Sequence, residues 1–413
     1  MPTSAYRPER DRQGIALCLS GGGFRAALFH LGALRRLNEV GLLSKVNTFS
    51  SVSGGSIANG LLAKAWSALT KDAGGVFTNC EEVYAKPLRA FCAMDLRTGV
   101  LLGTRVNPLN WAKLAGDDHS STDFLADAYE ERLVGDLKLA HLTALRAAGG
   151  PDFVFCASNL QTGVNFEFSA DGVGDWKIGQ AEAPEVRVAE AIAASSAFPI
   201  AFAPLVLRFD PDRFTRREGL LVDAGLKRQL RRRVILSDGG VYDNLGLEPV
   251  WKDHRVVLCS DGGKPFQVSS NPGVSEIPRL LRAQDVIGNQ ALALRKRWLV
   301  SSFETGVYEG AYWGIGTEIE GYPTHGPGYG GVVLERLRAV RTDLDAFSEA
   351  EQLVLMNHGW ALADAAISSY LRADLLPLPI PPGTPPSGTL LADADAAARA
   401  LEHSHETEIF GRG

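Results

Sequence analysis

Two strand-to-helix turns about thirty residues apart, within residues 15–56 (IALCLSGGGFRAALFHLGALRRLNEVGLLSKVNTFSSVSGGS), constrain this chain more than any other stretch. In the first, the apolar run Ile15 to Leu19 opens into Ser20-Gly21-Gly22-Gly23. An amphipathic segment follows, with Leu28, Leu31, Leu34 and Leu37 on one stripe and Gly41 as its stop. Three successive residues without a Cβ let backbone N–H groups approach a ligand, and the helix start behind them adds unpaired donors and the positive end of a dipole. Gly21, Gly22 and Gly23 are therefore expected to form an anion or oxyanion cradle. In the second turn, Val46 to Val52 reads as a strand running into Ser53-Gly54-Gly55. A second apolar stripe follows, made of Ile57, Leu61, Leu62, Ala65, Trp66 and Leu69. Because the hydrophobic period changes from strand to helix at the glycines in both places, both are predicted to be βα junctions.

The second turn has the form of a nucleophile elbow, G-x-S-x-G, in which glycines relieve strand-helix contact and a serine is held strained and exposed. Ser51-Val52-Ser53-Gly54-Gly55 keeps this pattern except at its head, where serine, still small, replaces glycine. The glycine turn also admits a rival. Gly21 to Ala26 satisfies G-x-G-x-x-A after a strand, the dinucleotide fingerprint. A ribose-binding acid should then close the second strand, but that strand ends in Val52-Ser53, and no G-K-[S/T] follows to make a P-loop. An ordinary α/β-hydrolase would place its elbow later and a catalytic histidine near the chain end. Here His30 lies within the first helix, His254 precedes a strand, and His403 and His405 sit in the tail, so a carboxylate is the expected base.

Composition narrows the classes. The chain is 45% apolar and 22% charged, as globular domains are. No apolar run approaches the roughly 18–20 residues of a membrane span. A net charge of −6 argues against nucleic acid as a partner. Cys18, Cys80, Cys92, Cys156 and Cys259 are odd in number and show no C-x-x-C spacing, so neither a disulfide framework nor a metal site is expected, and no cofactor. Residues 1–14, polar and proline-containing, read as a leader rather than a signal peptide, which places the protein in the cytoplasm. Lys227, Arg228, Arg231, Arg232 and Arg233 crowd a stretch read as loop, either a solvated face or, with Arg295 to Arg297, a patch for anionic lipid.

Along the chain, one α/β domain is expected over residues 15–372. Residues 71–150 lose the strand-helix rhythm and read as an insertion of the kind that forms a lid. Residues 152–157 and 164–168 read as a hairpin across Gln161-Thr162-Gly163, residues 277–300 and 348–371 as long helices, and residues 373–413, proline-rich, as a flexible tail. The tetrapeptide Ser-Asp-Gly-Gly occurs twice, at 237–240 and 260–263, each time after a short apolar run. Each copy puts a carboxylate at a strand's C-terminal end, where open α/β sheets bind ligands.

The ensemble resembles the patatin-like phospholipase family. The matching residues are Gly21-Gly22-Gly23-Phe24-Arg25, Ser51-Val52-Ser53-Gly54-Gly55, Ala193-Ala194-Ser195-Ser196-Ala197-Phe198-Pro199, and Asp238-Gly239-Gly240 followed by Val241-Tyr242-Asp243-Asn244, in the family's order. Ala26 and Ser51 depart from the pattern without removing a reacting group. The resemblance implies an α/β/α sandwich with a mostly parallel central sheet and a lid-like insertion. It also implies a Ser53–Asp238 dyad, an oxyanion hole from Gly21, Gly22, Gly23 and Gly54, and Arg25 either structural or at the substrate. Asp238 is favoured over Asp261 because Asn244 and Gly246 follow it as in the family loop. The implied activity is hydrolysis of lipid carboxylic esters, phospholipids first, at a membrane surface. A neutral-glyceride lipase or esterase and a catalytically silent lipid-binding scaffold are the alternatives.

Overall fold

The computed structural model describes residues 12–100, 120–199, 202–215, 222–272, 275–372, 374–377 and 379–406. Its centre is a sheet in the order β11-β10-β1-β2-β3-β4-β5-β6-β8. The first five run parallel: β11 (Glu309–Gly314), β10 (Val256–Asp261), β1 (Ile15–Leu19), β2 (Thr48–Val52) and β3 (Asp152–Asn159). These short apolar runs form a parallel core because each is covered on both faces. In β1, Ile15, Leu17 and Leu19 enter the main core, whereas Ala16 and Cys18 enter a second core on the opposite face. The expected sandwich is thus observed.

The hairpin at 152–168 is present as β3 and β4 (Val164–Ser169), and antiparallel pairing continues through β5 (Gly172–Asp175), β6 (Gly179–Ala181) and β8 (Phe214–Thr215). β7 (Leu205–Arg208) pairs with β9 (Arg233–Asp238), whose last residues turn back antiparallel onto β3. That step sets Asp238 opposite Ala157.

Among the described residues the α-helices, in chain order, are α1 (Gly23–Glu39), α2 (Gly54–Ala65), α3 (Lys86–Cys92), α4 (Ser121–Tyr129), α5 (Leu139–Ala147), α6 (Val188–Ser196), α7 (Ala224–Arg232), α8 (Gly240–Asp243), α9 (Glu276–Glu304), α10 (Gly331–Ala339), α11 (Glu349–Tyr370), α12 (Gly388–Ala392) and α13 (Ala394–Ala400). α1 and α11 cross at backbone contact. A Cβ at Gly32 would stand 1.9 Å from the Met356 carbonyl oxygen, and one at Gly359 1.9 Å from that of Phe29.

The described parts of the 71–150 insertion are anchored in the body of the fold: Tyr84, Leu88, Phe91, Leu125 and Tyr129 lie in the main core, and Phe91 packs edge-on to Phe24 of α1. Residues 101–119 fall outside the described set, as do 1–11 of the leader and 407–413 of the tail. The tail up to residue 406 is docked, not free. Leu401 and Ala397 join the core, and Ser404 donates to Glu351 while its carbonyl accepts from Arg341, a buried guanidinium also held by Asp345. The basic run at 227–233 lies largely in helix α7 rather than in a loop. There Arg231 is buried, its Nε donating to the Ile178 carbonyl, and Arg228 pairs with Asp212.

Candidate active site

The two βα turns lie side by side because β1 and β2 are adjacent and parallel, with Leu19 opposite Ser51. The Gly55 N–H donates to the Ser20 carbonyl at 3.1 Å and ties one turn to the other. Ser53 has φ +50° and is the only non-glycine residue with positive φ among the described residues. Such backbone persists only where its surroundings enforce it. The enforcement is visible in close contacts: a Cβ at Gly54 would meet the Gly23 carbonyl oxygen at 2.1 Å, and one at Gly55 the Leu19 carbonyl oxygen at 2.2 Å. Within the buried stretch from Phe49 to Ala63, Ser53 alone is partly open to solvent.

Ser51, the elbow's unusual head residue, is accommodated by hydrogen bonds. Its hydroxyl donates to the Val154 carbonyl and accepts from Ser56 and from Asn59. Ser195, at the end of α6, completes this buried network. Its hydroxyl donates to the Cys156 carbonyl at 2.6 Å and accepts the Ser53 N–H at 2.9 Å. The same helix end holds the strand carrying Asp238: the Ala197 carbonyl accepts the Asp238 N–H, and the Ser195 carbonyl accepts the Gly239 N–H. One helix terminus therefore sets both the nucleophile candidate and the carboxylate. In the sequence Ser195 stood only inside a matched segment, with no chemistry attached. Its partner Ser53 lies 142 residues away.

Asp238 is buried, and burial pushes its carboxyl up to about 6, against the opposing pull of the Gly240 N–H and the Ser53 hydroxyl, both of which favour its charged form. Asp261, in the other copy of the tetrapeptide, keeps the same contact to the second glycine's N–H but has different side-chain partners. It accepts from Tyr312 at 2.7 Å and from the Gly263 N–H, and it pairs with Lys296 at 2.5 Å. Burial raises its pKa, but Lys296, Tyr312 and Gly263 outweigh that and hold it below the usual carboxylate range. No histidine bonds to Ser53 or Asp238 among the described residues. His30, buried and lowered to about 4 by desolvation, bridges Ser260 and the Ser20 carbonyl, and His254 faces Thr48 and Val250.

Of the four glycines expected to donate, Gly21 drops out. Its N–H is already given to the Asn244 carbonyl at 3.1 Å, and its role is close approach, since a Cβ there would meet Asn244 Oδ1 at 2.4 Å and the Ser53 Cβ at 3.0 Å. Gly22 (φ +143°) and Gly23 (φ +61°) open α1, and Gly54 opens α2. First-turn N–H groups have no acceptor within their own helix. Arg25 is fully buried beneath this turn. Its Nε donates to the Gly262 carbonyl and its Nη1 to that of Val340, while Nη2 has no partner and would stand 3.1 Å from a Cβ at Gly22. Desolvation lowers its pKa to about 10, partly offset by Asp261, so it stays charged at neutral pH. Among the described residues no cluster of histidine, cysteine and acid side chains could hold a metal ion.

The family model of the patatin-like phospholipases matches residues 17–251. Among solved structures, human GIVD cytosolic phospholipase A2 is 14% identical, with TM-score 0.48, over 95% of this chain and 61% of that one. VipD from Legionella pneumophila is 13% identical, with TM-score 0.35, over 90% of this chain and 70% of that one. This chain thus spans about three fifths of the length of the human enzyme. No curated protein sequence matches it.

Proposed function

Because the chain belongs to the patatin-like phospholipase family, we propose that it hydrolyses carboxylic esters of lipids, phospholipids first, through Ser53 and Asp238. In this reading the Ser53 oxygen attacks the ester carbonyl and its proton passes to Asp238. The N–H groups of Gly22, Gly23 and Gly54 receive the oxyanion. Collapse of the tetrahedral intermediate expels the alcohol, which takes the proton back from Asp238. Water then attacks the acyl-serine and gives a proton to the same carboxylate, and collapse of this second intermediate releases the acid as Asp238 returns that proton to the Ser53 oxygen.

The observation that carries the reading is the pairing of a strained, partly open serine with a buried carboxylate that, among the described residues, has no cation beside it. An ordinary carboxylate is a weak base for an alcohol. Desolvation brings Asp238 to about 6 and narrows that gap. Asp261 already shares its charge with Lys296 and Tyr312, which makes it the poorer base and the better anchor. Arg25 is proposed to support the glycine turn from below, since its bound nitrogens hold the Gly262 and Val340 carbonyls. The test is labelling with a fluorophosphonate: one adduct per chain on wild type, located at Ser53, and none on Ser53→Ala. An unlabelled wild type would leave the silent scaffold as the better account.

A further inference from the structure

Helix α9 is too long for the place it fills. It connects the C-terminal end of β10 to the N-terminal end of the parallel strand β11. Six-residue strands span about 20 Å, whereas its 29 residues span about 44 Å. The surplus lies at its beginning. Leu292, Leu299 and Phe303 pack onto the second core, but residues 283–291 are exposed on every side, more than two turns without a covering neighbour among the described residues. Because Lys296 pairs with Asp261 at the C-terminal end of β10, the residues before it project past the sheet edge at which β2 delivers Ser53.

Its surface is not that of a solvated helix. Leu280, Ile287 and Leu294 recur every seven residues, which sets them on one face, and they are 69%, 67% and 53% exposed. Between residues 283 and 294 the only charged residue is Asp285. Phe266 and Val268, on the loop leading into α9, are also exposed, and Phe266 lies under the Arg282 guanidinium. Arg279 and Arg297, both exposed, stand five turns apart on one flank of the stripe. Arg295 and Lys296 face inward instead, to Asp243, Glu248 and Asp261.

We propose that the free half of α9 is the lipid-docking surface of this protein, its apolar stripe entering the headgroup region of an anionic bilayer while Arg279 and Arg297 meet phosphates. This rests on the lipid-ester reading for its purpose, since the projection stands at the edge where substrate enters, but not for its physics. An exposed apolar helix face flanked by cations is the form of an interfacial helix.

The test is co-sedimentation of the full chain, as Ser53→Ala to prevent turnover, with phosphatidylcholine vesicles containing phosphatidylglycerol. Adding Leu280→Glu and Ile287→Glu should lower the bound fraction at least about tenfold, the effect of withdrawing two large apolar side chains from lipid. In the otherwise wild-type chain the same pair should leave hydrolysis of a short-chain soluble ester unchanged. Ile287→Cys carrying a polarity-sensitive fluorophore checks the site without adding charge, and its emission should shift to the blue on vesicles. Equal vesicle binding by the Glu variant, or no emission shift, would overturn the proposal. So would conversion of a dimer to a monomer by the Glu variant with vesicle binding intact, which would assign the stripe to a second copy of the chain. Absence of any ester hydrolysis would sink the catalytic reading alone, since binding is measured on the inactive protein.

Discussion

Asp238→Asn should make the protein more stable and inactive at once. The buried carboxyl sits at about 6, against about 3.9 in an unfolded chain. Between those values the native state holds a proton that the unfolded state has released, so stability falls as pH rises from 4 to 6 and stays low above. Two pKa units correspond to about 3 kcal/mol at pH 8, and roughly half of that remains at pH 5. Asparagine has the same shape, its Oδ1 can still accept the Gly240 N–H, and it carries no charge to desolvate. Thermal unfolding of wild type and variant should therefore show a higher midpoint for the variant at pH 8, a smaller gap at pH 5, and coincidence near pH 4. Ester hydrolysis should fall by about 10³ or more, as when the base of a nucleophile-base pair is removed. A variant less stable than wild type at pH 8, or a stability difference independent of pH, would refute the argument that desolvation dominates at Asp238.

The neighbouring tetrapeptide predicts the opposite sign. Asp261→Asn removes the carboxylate from a Lys296 that is itself one-third exposed, and should cost about 1–2 kcal/mol in denaturant unfolding while retaining most activity in whatever protein folds. For wild type, kcat/KM against a soluble ester should rise with pH through about 6 as Asp238 ionises, and a plateau reaching down to pH 4 would assign the proton acceptor elsewhere. Gly22→Val would place a Cβ 2.8 Å from the Gly262 carbonyl oxygen at φ +143°. It should lower kcat by at least about 10² through loss of oxyanion donors, and wild-type turnover in that variant would remove Gly22 from the cradle.

The two βα junctions were legible in the sequence because their signals are local. Glycine runs, a change of hydrophobic period and a small-residue elbow are each complete within a dozen consecutive residues, and β1, α1, β2 and α2 stand where those signals put them. Both faces of β1 being buried also follows from an unbroken apolar run. Contacts between distant residues left no such mark. Ser237 to Gly240 and Ser260 to Gly263 are identical text, told apart in the sequence only by the residues that follow Asp238; the folded chain gives the physical difference, setting Lys296 and Tyr312 against one carboxylate and leaving the other beside Ser53. Ser195 reads as one more small residue at a helix end until the fold brings it to the Ser53 N–H. Gly32 and Gly359 gave no hint of a helix crossing, because a missing side chain reports close approach without naming the partner. The tail read as flexible because it is rich in proline, yet Leu401 and Ser404 find a core and a buried Arg341 already built by the rest of the chain. The length of α9 was read nearly correctly from the sequence, but that half of it stands free depends on the short reach of β10 and β11, and so belongs to the tertiary structure.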